Sequence, residues 1–180
     1  MLHGWQGSGP DHWQTWLAGR LRALGEHVSY PQLPNPDRPV LAEWRTALAA
    51  ELDAARDREL VVLCHSLGGI LWLHHAARPV SDVVPERVLL VAPPCAPWIA
   101  PELAAFPYAP MDRAGVARAA RTTRMVCSDN DEYCPRGAAN VYPPVLGIDC
   151  EVLPGAGHIN TDAGYGAWPL AERFALSDAV

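Results

Sequence analysis

The chain has no lysine: all fourteen of its strong bases are arginine, and they are mixed with twenty acidic residues to a net charge of −6. No basic tract is present, which excludes the concentrated positive footprint that releases counterions from a nucleic acid. No apolar run approaches the twenty or so residues a spanning helix requires. The longest, Leu60-Val61-Val62-Leu63-Cys64 and Val88-Leu89-Leu90-Val91-Ala92, read as buried strands. No charged-then-apolar leader opens the sequence, which points to the cytoplasm. Cysteines 64, 95, 127, 134 and 150 make an odd count without a CxxC, so neither a disulfide framework nor a zinc site is expected. His74 and His75 are adjacent rather than four apart and face different ways on a helix, so no metal is expected there either.

What is present alternates between two periodicities. Trp13, Trp16, Leu17, Leu21 and Leu24 form one apolar stripe of a helix from His12 to about Leu24, with Asp11 as its cap. Residues 27–31 read as extended and 32–39 as a proline-rich loop. Trp44, Leu48 and Leu52 mark a second helix within 40–56. Strands are expected at 60–64, 87–92, 124–128 and 149–153, with helices at 68–77, 113–120 and 167–176. Between Pro93 and Pro110, six prolines fall in eighteen residues, which predicts an irregular lid or pocket wall. Strands alternating with helices predict a single α/β domain over residues 1–180, a three-layer, doubly wound and mostly parallel sheet with a minimal lid. In such sheets chemistry sits on loops at the carboxyl ends of strands.

The strongest such loop is Leu63-Cys64-His65-Ser66-Leu67-Gly68-Gly69, where a buried strand runs into a serine and small residues open a helix. That is the pattern of the nucleophile elbow, G-x-S-x-G, with Cys64 where glycine is usual. A strained serine between strand and helix requires small neighbours two positions away, and Gly68 is one. Ser66 is therefore the expected nucleophile; the competing reading makes it a helix cap. A serine hydroxyl needs a base. Of seven histidines only His158 follows Ser66 by more than ten residues, on the flexible turn after the last strand. The acid that orients it belongs on the loop after the preceding strand, Ser128-Asp129-Asn130-Asp131-Glu132. Asp131 is the expected choice, with Asp129 the runner-up and Glu132 third. For the oxyanion the expected amides are Leu67, after the nucleophile, and Trp5, on the early loop Leu2-His3-Gly4-Trp5. If Leu2-His3-Gly4 ends a strand, most of that strand is missing, at an expected cost in stability. Trp98, Phe106 and Tyr133 are candidates for lining an apolar substrate pocket.

Four stretches together resemble a compact α/β-hydrolase family, the small serine hydrolases related to retinoblastoma-binding protein nine and the bacterial YdeN-type proteins. They are His3-Gly4-Trp5 with Asp11-His12-Trp13, then His65-Ser66-Leu67-Gly68-Gly69, then Ser128-Asp129-Asn130-Asp131, and Gly157-His158-Ile159-Asn160 continuing to Gly164-Tyr165-Gly166-Ala167-Trp168-Pro169. The resemblance implies a triad of Ser66, Asp131 and His158, no metal or organic cofactor, and cleavage of a small ester, amide or thioester. Two departures stand out: Cys64 replaces the elbow glycine, and Glu132 stands where the family's loop often has proline. The expected partner is a small-molecule acyl substrate rather than nucleic acid or membrane, the expected state a monomer or small homo-oligomer. The rival readings are a binding protein that kept the fold without the activity, and a thioesterase or acyltransferase using the same groups.

Overall fold

The structure, a computed structural model, describes residues 1–98 and 100–176. Four parallel strands lie side by side in chain order: β1 (Val61–His65), β2 (Arg87–Val91), β3 (Thr122–Ser128) and β4 (Asp149–Leu153). Cys64 is opposite Leu90, Leu90 opposite Met125, and Val126 opposite Glu151. Side chains alternate across a strand, and both faces of this sheet are covered. Val62, Cys64, Val88, Leu90, Met125 and Cys127 point to one face, against α2 (Leu41–Ala54), α3 (Leu67–Ala77) and α4 (Arg113–Ala119). Leu63, Leu89, Val91 and Val126 point to the other, against α1 (Trp13–Ala23) and α7 (Pro169–Leu176). The expected three-layer α/β arrangement is therefore present. Among the described residues no helix is long and apolar enough to cross a membrane.

The helices form where the apolar spacing placed them. Trp13, Leu17 and Leu21 of α1 are buried, as are Trp44, Leu48 and Leu52 of α2. One cap differs from expectation: α1 starts one residue later, and His12 rather than Asp11 is its cap, its Nδ1 accepting from the Gln14 N–H at 3.2 Å. Two short helices were not foreseen, α5 (Ala138–Val141) and α6 (Pro143–Leu146). Four residues are too few to show a helical period, and Pro143 supplies the start of α6 at a position where its missing N–H costs nothing. The proline-rich stretch is irregular as expected, apart from a 3₁₀ turn at Pro101–Leu103.

The early strand is a stub. Leu2 alone bridges β1, its N–H donating to the Leu63 carbonyl at 2.9 Å and its carbonyl accepting from His65 N–H at 3.0 Å. Side chains hold this stub in place of further ladder bonds. Gln14 Nε2 also donates to the Leu2 carbonyl at 3.0 Å, and His3 Nε2 accepts from Leu33 N–H at 2.8 Å.

A second difference concerns cysteine. Cys95 and Cys134 form a disulfide, contrary to expectation. Parity and CxxC spacing carry no information about two loops that meet in space: these residues lie just past the carboxyl ends of the adjacent strands β2 and β3. Cys64, Cys127 and Cys150 are free, the first two buried.

Candidate active site

Ser66 occupies the turn between β1 and α3 with φ 52° and ψ −123°, a conformation that side-chain-bearing residues rarely adopt. Its N–H donates to the Val91 carbonyl at 2.9 Å, and its own carbonyl accepts from Gly69 at 2.9 Å, so sheet and helix both hold the turn. Glycines make the room. A Cβ on Gly68 would stand 2.6 Å from the Leu2 carbonyl oxygen and 2.7 Å from that of His3. A Cβ on Gly4 would stand 2.7 Å from the Cβ of Ser66. Cys64 fits fully buried at the other small position, and burial pushes its thiol up to about 12, which leaves it unreactive at neutral pH.

His158 Nε2 lies 2.8 Å from Ser66 Oγ, and His158 Nδ1 lies 2.9 and 3.0 Å from the two carboxylate oxygens of Asp131. An ionised carboxylate only accepts, so Nδ1 carries the proton and Nε2 accepts from the Ser66 hydroxyl. All three side chains are buried or nearly so. Asp131 is further fixed by the Tyr133 N–H, which donates to Oδ1 at 2.9 Å. The structure thus brings together the three residues the sequence singled out.

Asp129, the runner-up acid, does something else. Its Oδ1 accepts from Gly155 N–H at 2.8 Å; Ser128 Oγ accepts from Ala156 N–H at 2.9 Å; Asn130 Oδ1 accepts from Gly157 N–H at 2.7 Å. Four consecutive side chains, the last of β3 and the three that follow it, therefore grip four consecutive residues, 155 to 158. Gly157 at φ 55° and Ile159 at φ 50° flank His158, so the loop needs such restraint. His65 adds a further hold, its buried Nε2–H donating to the His158 carbonyl at 3.0 Å. Burial lowers the His65 pKa well below the usual histidine value, as it lowers that of His12, to about 4. The two rings pack edge to face 4.7 Å apart. The sequence signal for this grip was legible in kind: small polar residues closing one strand, facing a Gly-Ala-Gly turn whose amides have no helix or ladder to join. The pairing of one with the other was not.

Ser66 and His158 open on a cavity of about 290 Å³, lined also by Trp5, Leu67, Trp98 and Tyr133. Tyr133 packs its ring 4.3 Å from that of His158. Phe106, expected in the pocket, is instead in the core, 5.4 Å edge-on to Trp44, and it is its carbonyl that serves the wall by accepting from Trp98 Nε1 at 2.6 Å. An apolar residue in a proline-rich segment looks the same from sequence whether it faces the cavity or the core. Lining residues not singled out beforehand include Gln6, Leu103, Asn160, Thr161 and Asp162. Glu132 lies on the exposed side of the acid loop. The Cys95–Cys134 disulfide ties the wall after β2 to this loop, with Cys95 N–H donating to the Tyr133 carbonyl at 3.1 Å.

A strained serine at the carboxyl end of a parallel strand, hydrogen-bonded to a histidine and through it to a buried aspartate, is the architecture of an α/β hydrolase. The chain belongs to the serine hydrolase family, whose model matches residues 1–176. Its sequence is 23% identical over 175 residues to YdeN of Bacillus subtilis (strain 168), covering 94% of this chain and 90% of that protein. The crystal structure of the ydeN gene product from B. subtilis matches with a TM-score of 0.78 at 20% identity, over 95% of this chain and 92% of the other. A YdeN-like protein from Pectobacterium atrosepticum matches at 0.68 and 21% identity, over 96% of this chain and 84% of that one. A member of the α/β superfamily from Xanthomonas campestris matches at 0.62 and 20% identity, over 97% and 92%. At these identities the structural likeness speaks for the fold.

Proposed function

We propose that this serine hydrolase cleaves small carboxylic esters or thioesters through a Ser66–His158–Asp131 triad and an acyl-enzyme. The observation that carries the reading is the unbroken hydrogen-bonded array, 2.8 Å from Ser66 to His158 and 2.9 Å on to Asp131, opening on a small cavity. His158 Nε2 takes the Ser66 proton as Oγ attacks the acyl carbon. Asp131 holds the imidazole in the required tautomer and stabilises the imidazolium that forms. Ser66 caps α3, so the helix dipole favours the negative charge developing on the former carbonyl oxygen. The Leu67 and Trp5 amides are its donors. His158 then gives the proton to the leaving oxygen or sulfur, the C–O or C–S bond breaks, and a water activated by the same imidazole hydrolyses the acyl-Ser66 ester.

A cavity of about 290 Å³ suits a short acyl group rather than a long chain. The intact array favours turnover over a binding protein with a misaligned triad.

The test is labelling with a fluorophosphonate probe and peptide mapping, alongside turnover of 4-nitrophenyl acetate. A single adduct on Ser66, absent in His158→Ala, with turnover lost in Ser66→Ala, is expected. Folded protein that takes up no probe and turns over no ester would overturn the reading and favour a binding role.

A further inference from the structure

The charge at the cavity wall is one-sided. The residues lining it include no arginine, and the chain has no lysine at all. The formal charge in the lining is that of Asp162 alone. Its two histidines other than His158, His12 and His65, are kept neutral by burial. Asp162 sits on the exposed 3₁₀ turn Thr161–Ala163, four residues past His158, and has no ion-pair partner among the described residues. Three aromatic rings, Trp5, Trp98 and Tyr133, share the cavity with it.

These facts sort the two ends of a substrate. The general acid His158 protonates the leaving group, so the leaving group faces the base side of the cavity, where Asn160, Thr161 and Asp162 follow in sequence. The rest of the lining available to the acyl group, Leu67, Pro94 and Leu103 among it, offers no charge. A carboxylate or phosphate on the leaving group would meet no fixed cation and one fixed anion. A cation there meets a carboxylate in a cavity lined by three aromatic rings, and both kinds of group can attract it. The overall charge of −6 adds attraction during approach at low ionic strength.

We propose that the substrate pairs a short, uncharged acyl group with a positively charged leaving group, such as an amino alcohol or amino thiol, received beside Asp162. This rests on the serine hydrolase reading above and names the substrate class for that site. The chemical step is unchanged: Ser66 displaces the oxygen or sulfur of the leaving group, which departs with the proton from His158, and water restores the free enzyme.

Three thioesters of the same acetyl group isolate the charge: S-acetylthiocholine, its uncharged carbon isostere 3,3-dimethylbutyl thioacetate, and S-acetyl-3-mercaptopropanoate. At about 20 mM salt, kcat/KM should fall in that order, by roughly threefold or more per step, and the spread should shrink at about 0.5 M salt, where exposed charges are screened beyond about 4 Å. Asp162→Asn should bring the cationic-to-neutral ratio close to one, and Asp162→Glu should restore it. The inference fails if the anionic thioester is turned over as well as the cationic one, or if the ratio is unmoved in Asp162→Asn. If none of the three is turned over and fluorophosphonate leaves Ser66 unlabelled, the hydrolase reading itself falls, and this inference with it.

Discussion

Ser66 and His158 meet across 2.8 Å, but the loops that present them are made by different means. The serine loop is set by backbone geometry: a left-handed φ of 52° and two glycines whose absent β-carbons let two chain segments touch. The histidine loop is set by hydrogen bonds, with Ser128, Asp129, Asn130 and Asp131 each catching one residue of 155–158. A steric requirement admits one or two residue types at a fixed spacing. A hydrogen-bonded one admits many polar residues, provided the partner loop comes to meet them. The first kind of site half should therefore break abruptly on mutation, and the second should degrade by degrees.

The sharpest contrast is expected from Gly68→Val. Its side chain has nowhere to go but into the Leu2 and His3 carbonyls, so fluorophosphonate labelling should vanish and thermal stability should drop by several kcal/mol, on the order of 3 or more. A Gly68→Val protein that labels normally would show that the stub moves freely. On the other side, Asn130→Ala removes the acceptor for Gly157 N–H and should lower kcat/KM by roughly 10- to 100-fold with the fold intact, as small misplacements of a reacting group do. Asn130→Asp keeps that acceptor and should recover most of the loss; kcat rather than KM should carry the change.

A third outcome concerns pH and stability. His12 and His75 both have pKa values lowered to about 4 by burial. Unfolded histidine binds a proton near pH 6.5 whereas these folded ones do not, so the unfolded chain gains protons first as pH falls. Their own contribution to stability should be constant above about pH 7, decline through the window from 6.5 to 4, and level off below it, with a loss on the order of 3 kcal/mol per histidine. Chemical denaturation across that range would measure it, and His12→Gln should flatten the slope; an unchanged slope would sever the link to His12. The smallest effect is expected from Cys64→Gly. It installs the usual elbow residue yet gives up a fully buried side chain, so kcat/KM should stay within about threefold while stability falls by roughly 1–2 kcal/mol.

The same distinction explains what could be read from sequence. The elbow, the strands at β1 and β2, and the Trp13–Leu17–Leu21 and Trp44–Leu48–Leu52 stripes were all legible, because sterics and burial leave a periodic or positional mark. His158 and Asp131 were legible through chain order and the resemblance together. The roles of Ser128, Asp129 and Asn130 were not, since an acceptor looks the same in sequence whether it meets an amide or water. Nor was the Cys95–Cys134 disulfide, which joins loops 39 residues apart, nor the inward turn of Phe106. Each of these depends on which segments meet, a matter the tertiary packing decides.

Gly4 and Gly68 also bear on how this protein can change over generations. Gly4 leaves space for the β-carbon of Ser66, and Gly68 leaves space for the carbonyls of Leu2 and His3. A short segment at residues 2–4 and a helix start more than sixty positions later are thus bound into one inheritance. A β-carbon added at either place presses on the segment that the other serves, so neither can drift ahead of its counterpart. Exposed loop positions such as Ala104, Ala105 and Pro107 carry no such constraint and are open to change, while the ground beneath Ser66 stays closed to gradual change.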